Sequence, residues 1–262
     1  IAEKKPSLER FEAKATKARQ ANSRLKKLER IEFVPLQPSS RRYPKFSFSQ
    51  KRPSGKDVLV VKGVDKSFGE NAVLRDVSVT VRRGERVALI GKNGLGKSTL
   101  LKIAMGVHAP DGGSAEWGHE AQVGYFAQDH RELLLHPTQS VHAFLWDQCP
   151  DETTNYVRGV LGRMLFSREE VDKEVGHLSG GEAARLIFCQ LMVQKPNVLV
   201  LDEPTNHLDL ESIEALADAL EQYEGTIVFV SHDRWFVSRL ATRIVELTKD
   251  GVNDFPGGYE DY

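Results

Sequence analysis

Residues 91–99, GKNGLGKST, constrain the fold more than any other stretch of this chain. They fit G-x-x-x-x-G-K-[ST] and follow directly on the apolar run RVALI. A strand running into such a loop, with a helix opening inside it, is built to hold a phosphate chain. Glycines let backbone N–H groups close around the anion. The helix that opens near Lys97 points its positive end at the same charge. Gly91, Asn93, Gly94, Gly96, Lys97, Ser98 and Thr99 are therefore the candidate nucleotide-binding residues. Lys97 is placed to reach the β and γ phosphates, and Ser98 to hold Mg²⁺.

The rest of 57–262 reads as the α/β framework such a loop needs. VLVVKGV and VLRDVSVTV are strands ahead of RVALI, expected to pair antiparallel. STLLKIAMG is the helix after the loop. Residues 129–175 are polar and weakly periodic, and read as helical. They look like a subdomain inserted between two strands, spanning about 129–185 once the start of the next helix is counted. That helix, EAARLIFCQLMVQ, is halted by Lys195-Pro196-Asn197. VLVLD and TIVFV are uninterrupted apolar runs, as parallel strands buried on both faces require. SIEALADALEQY, between them, is an amphipathic helix. No apolar run approaches the ~20 residues that span a bilayer. Cys149 and Cys189 have no metal spacing and read as free core thiols of a reducing cytoplasm.

Three further strand ends carry chemistry. Asp202 and Glu203 close VLVLDE, and the carboxyl end of a parallel strand faces the ligand crevice. Asp202 is placed to hold Mg²⁺, directly or through water, and Glu203 to polarise an attacking water as general base. A solvated acidic pair is the plainer alternative, made weaker by the phosphate loop. His232 follows TIVFVS and is placed to touch a γ-phosphate, although a lone histidine after a buried strand is commonly structural. Gln128 ends the run VGYFAQ, where a surface glutamine is the default.

GHLSGGEAAR, residues 176–185, presents a second anion-gripping helix start: Ser179, two glycines, then a helix-forming run. One chain with one phosphate loop has no phosphate left for it. Glu182 either belongs to that grip or simply favours the helix start.

The near-neutral total, a formal charge of −1, hides a polarised chain. Residues 1–56 hold 16 Lys/Arg against 5 Asp/Glu, and the other 206 hold 20 against 32. Residues 7–32 read as one long helix, with Leu8, Phe11, Ala15, Ala18, Leu25 and Leu28 at spacings of three and four. Its thin apolar stripe suits pairing with one other helix. Pro35, Pro38, Pro44 and Pro53 then mark an extended linker. The basic rod suits RNA phosphates, with Lys14, Lys17, Arg24 and Lys27 as contacts; the alternative is a solvated charged helix. The first residue is Ile, so the chain reads as a piece of a longer one.

GKNGLGKST, YFAQ, HLSGGE, VLVLDEPTNHLD and VSHD, in this order, resemble the nucleotide-binding cassette of the ABC superfamily over about 57–262. The resemblance implies a P-loop NTPase cassette: a mostly parallel core sheet, an antiparallel β subdomain and the inserted helical subdomain, here preceded by a helical arm. It implies ATP and Mg²⁺ as ligands, Gln128 as the Q-loop residue on metal and water, and His232 as the switch histidine. Asn206 to Asp209 match the D-loop. Phe68, in KSFGE, matches the aromatic that stacks on adenine, and is otherwise an ordinary core or turn aromatic. It also answers the second anion grip: two cassettes face head to tail, so Ser179, Gly180, Gly181 and Glu182 act in trans on a neighbour's nucleotide. Glu182 stands where Gln is commoner.

DEPTNHLD, the arm and the tail FPGGYEDY resemble the ABC-F subfamily, ribosome-binding translation factors of the cytoplasm. That implies a second half of such a protein, with ribosome and tRNA as partners of the arm and no membrane partner. The rival reading is the motor subunit of an ABC transporter, which has no use for a basic rod. A chromosome or repair ATPase of the superfamily would carry a far longer insert than the roughly 80 residues between loop and signature.

Overall fold

The computed structural model describes residues 43–249 and 251–262, without the side chain of His130. The chain divides into two units, Ile1–Arg42 and Tyr43–Tyr262. The expected helix over 7–32, and with it Lys14, Lys17, Arg24 and Lys27, lies outside the described residues.

A six-stranded sheet carries the site, in the order β5-β6-β7-β3-β8-β9. These are β5 (Val123–Phe126), β6 (Val198–Asp202), β7 (Thr226–Val230), β3 (Arg86–Ile90), β8 (Arg243–Thr248) and β9 (Gly251–Pro256). The pairs from β5 to β8 are parallel, and β9 closes one edge antiparallel. Every residue of β6 and β7 is buried, as their uninterrupted apolar sequences demand. A second sheet, β2-β1-β4, is antiparallel throughout and joins β1 (Asp57–Phe68), β2 (Asn71–Arg82) and β4 (Gly112–Trp117). This is the expected α/β architecture, antiparallel subdomain included.

Helix α1 (Lys97–Ala104) follows β3 through the glycine loop. Between β5 and β6 lie α2 (Val141–Asp147), α3 (Thr154–Arg163) and α4 (Gly180–Gln194). Short 3₁₀ turns at His130–Leu133, Glu170–Asp172 and Val175–His177 connect them, which is why the sequence there shows so weak a period. Helices α5 (Leu210–Glu221) and α6 (Arg234–Leu240) complete the body. Two cores result, one on each face of the main sheet. Leu199, Leu201 and Phe229 face α4, α5 and α6, while Val198, Val200 and Val228 face α1 and the antiparallel sheet. Among the described residues no helix is long and apolar enough to cross a membrane.

The sequence starts the cassette at Asp57, whereas the compact unit starts at Tyr43. Residues 43–56 form no helix or strand, but they lie along the body. Phe46 meets the edge of Phe188 at 5.1 Å, and Phe48 lies 6.5 Å from Tyr223. Asn197, itself buried, donates to the carbonyl of Arg52 at 3.0 Å. Two aromatic side chains with a surface to cover hold this extended segment against the body.

Candidate nucleotide site

The glycine loop adopts backbone conformations that L side chains resist. Gly91 has φ +141°, and a Cβ there would stand 2.5 Å from the carbonyl oxygen of Leu247. Gly96 has φ +86°, and its Cβ would meet Leu74 at 2.6 Å. Only glycine passes this close to β2 and β8 at these angles. Lys97 folds back over the loop and donates to the carbonyls of Gly91 (2.9 Å) and Lys92 (3.2 Å). Burial lowers its pKa, and the carboxylates of Glu203 and Asp202 partly restore it.

A cleft of about 500 Å³ opens over this loop. It is walled by Asn93, Gly94, Gly96, Lys97, Ser98 and Thr99, with Gln128, Glu203 and His232 opposite. Phe68 stands at its rim, 49% exposed, with the Lys66 ammonium 5.5 Å from its ring centroid and His108 set edge-on. It is no core residue. Val73 and Val230 complete the lining. Neither is legible in the sequence, because a valine within a strand carries no chemical signature. Gly91 lines an adjoining cavity of about 240 Å³ that shares Lys97 and His232.

Asp202 lies just behind the cleft. Ser98 donates to its Oδ1 at 3.1 Å, while its Oδ2 is buried with no hydrogen-bond partner. Burial raises its pKa, the Ser98 hydrogen bond lowers it, and the neighbouring Glu203 raises it again. A serine hydroxyl beside a carboxylate with an unused oxygen is a hard-oxygen donor set suited to Mg²⁺. Among the described residues no three His, Cys, Asp or Glu side chains gather as a metal cage. Mg²⁺ commonly takes one or two protein oxygens and completes its shell with phosphates and water, so Ser98 and Asp202 fit it.

Glu203 is 5% exposed and has φ +53°, a left-handed backbone unusual for glutamate. Its N–H donates to the Val230 carbonyl at 2.9 Å, tying the end of β6 to the end of β7. The backbone N–H of His232 donates to Glu203 Oε2 at 3.2 Å. His232 Nε2 lies 3.4 Å from Oε1, but its angle makes no hydrogen bond, so that buried oxygen keeps its lone pairs. Strain held at a carboxylate facing a cleft is typical of functional sites.

The second anion grip lies elsewhere. Ser179 caps α4 by accepting from the N–H of Glu182, and Glu182 accepts from the N–H of Ser179 at 2.6 Å. Both carboxylate oxygens of Glu182 also receive Lys173, at 3.1 Å each. None of Ser179 to Glu182 lines the 500 Å³ cleft. Gly180 instead borders a separate hollow with Gln128 and His207. Asp209 caps α5 through the N–H of Ser212, and exposed Asn206 also lies off the cleft.

The parallel sheet, its glycine loop and the carboxylates at its strand ends define a P-loop NTPase with a cassette architecture. Comparisons with known proteins then narrow the class. A family profile described as ABC transporter matches residues 74–206, and a second of that description matches residues 1–48. The chain belongs to the ABC family of ATP-binding cassettes. It is 46% identical over its whole length to "Probable ATP-binding protein YbiT" of Escherichia coli O157:H7, of which it spans 49%. It is 38% identical over 95% of its length to "ABC transporter F family member 5" of Arabidopsis thaliana, spanning 36% of that protein. The chain thus covers about half or less of these relatives. Among solved structures, the ATP-binding subunit of an ABC transporter covers 78% of this chain and 91% of its own, with a TM-score of 0.66 at 24% identity. A bacterial Atm1-family ABC exporter with ATP bound has a TM-score of 0.67 at 18% identity, over 85% of this chain and 42% of its own. At those identities the structures speak for the fold alone.

Proposed function

We propose that this chain is an ATP-binding and ATP-hydrolysing cassette of an ABC-F type translation factor of the cytoplasm. It closes on a second cassette with ATP between them, and its basic arm meets the ribosome and tRNA. One observation carries the reading. Lys97, Ser98, Gln128, Glu203 and His232 converge on a single cleft, while Ser179 to Glu182 lie outside it.

The glycine loop binds the phosphates through its backbone N–H groups, and Lys97 leaves the Gly91 and Lys92 carbonyls for the β and γ oxygens. Phe68 stacks on the base. Ser98 and Asp202, with Gln128 nearby, would hold Mg²⁺, which would supply positive charge against the phosphates. Glu203 Oε1, unbonded and anchored through Oε2, takes a proton from the attacking water. His232, with a side chain 60% exposed, is free to turn to the γ-phosphate. Ser179, Gly180 and Gly181 complete the neighbour's site from the start of α4. Closure is thereby tied to hydrolysis.

The translational role is supported by the likeness to F family members and by the charge of residues 1–56. Glu203→Gln is expected to lower hydrolysis by about 10²- to 10⁴-fold with ATP binding retained. In the full-length parent it is expected to sediment with ribosomes in ATP more than the unsubstituted protein does. Equal sedimentation contradicts the ribosomal cycle. Recovery with membranes instead favours the transporter-motor reading.

A further inference from the structure

Asp202 Oδ2 and the hydroxyl of Tyr125 are both buried without a hydrogen bond. They belong to neighbouring strands. Tyr125 pairs with Val200 in the parallel register of β5 and β6. Side chains alternate along a strand, so Tyr125, Val200 and Asp202 share one face of the sheet. That face packs against α1, since Tyr125 and Val200 belong with Leu100, Leu101 and Ile103. The same helix carries Ser98, whose hydroxyl occupies the other oxygen of Asp202. A phenol donor and a carboxylate acceptor therefore lie on the same face of adjacent strands, each without a hydrogen bond. Leaving such groups unpaired is unfavourable.

We propose that Tyr125 is a positioning residue for the magnesium site, its hydroxyl donating to Asp202 Oδ2 when Oδ1 and Ser98 turn to the cation. This rests on the assignment of Asp202 to Mg²⁺ made above. A phenol hydroxyl keeps its proton at neutral pH and is a donor. Glu132 is the competing acceptor, but it is engaged by Lys102 at 3.4 Å. Partners of this kind behind a metal ligand fix its orientation, and removing one lowers metal affinity about 10- to 100-fold.

The test titrates Mg²⁺ into the chain loaded with a non-hydrolysable ATP analogue and reads half-saturation by calorimetry. Affinity for the same analogue in EDTA and the nucleotide-free melting temperature are read alongside. Tyr125→Phe is expected to raise the Mg²⁺ half-saturation by about ten-fold. It should leave binding in EDTA unchanged. The melting temperature should stay level or rise, because an unbonded hydroxyl contributes no stability. An unchanged Mg²⁺ titration overturns the proposal. So does an equal loss in EDTA, or a lower melting temperature without the Mg²⁺ shift, either of which marks a structural hydroxyl. Asp202→Asn separates the two levels. If it leaves the titration unchanged, the metal assignment itself fails; if it shifts the titration and Tyr125→Phe does not, only the tyrosine's part falls.

Discussion

Glu182 does two jobs at the start of α4: it closes a capping box with Ser179 and pairs with Lys173. Burial opposes its charge, but hydrogen bonds from Ser179 and Lys173 outweigh that and bring its carboxyl down to about 2. The folded chain therefore binds fewer protons there than the unfolded chain as the pH falls below the ordinary glutamate value. Its stabilisation is full above about pH 4.5 and fades as the pH drops toward 2. Glu182→Gln keeps an acceptor for the Ser179 N–H and loses the ion pair. A cost of about 0.5–1 kcal/mol is expected at pH 7, a melting temperature roughly 1–4 °C lower. The gap to the unsubstituted chain should close at low pH, as thermal melts across a pH series would read. Of the two readings that the sequence left open for this residue, the helix-start role has clear geometry here.

At the scale of elements, the strap before β1, residues 43–56, lies along the body. Phe46 packs on Phe188 of α4, and Phe188 stacks on Phe126 at 4.5 Å, two residues before Gln128. Phe46→Ala with Phe48→Ala removes two half-buried rings, a loss of about 2–4 kcal/mol. Differential scanning calorimetry should show a melting temperature lowered by about 4–16 °C. An unchanged melt would mean that the strap merely lies on the surface. The strands and helices whose own period or apolar run is strong, such as β6, β7, α4 and α5, are legible in the sequence. Strand β4 is not: its GGSAEW is nearly featureless and is held by pairing to β1. The strap reads as part of an extended linker, but nothing in its sequence shows that Phe46 and Phe48 pack on the body. The candidate site was legible because chemistry there demands fixed residue types at fixed spacings. Val73, Val230 and the sheet face shared by Tyr125 and Asp202 were not, since they arise from register between strands distant in sequence.

The whole molecule poses the question of what the second anion grip holds. The cleft has a phosphate loop, a carboxylate and a histidine, yet Ser179 to Glu182 wall no part of it. A neighbouring cassette supplies the missing phosphate in the proposed cycle, and ATP then bridges two bodies. A mixture of two copies separates the sides of that bridge. Both carry Glu203→Gln to hold the closed state, and one also carries Lys97→Ala so that it binds no ATP of its own. ATP bearing a photoreactive group on its γ-phosphate is added with Mg²⁺, and labelled peptides are mapped by mass spectrometry. Label on residues 176–185 of the Lys97→Ala copy is the expected result. Label confined to the copy with the intact loop would contradict the two-sided clasp.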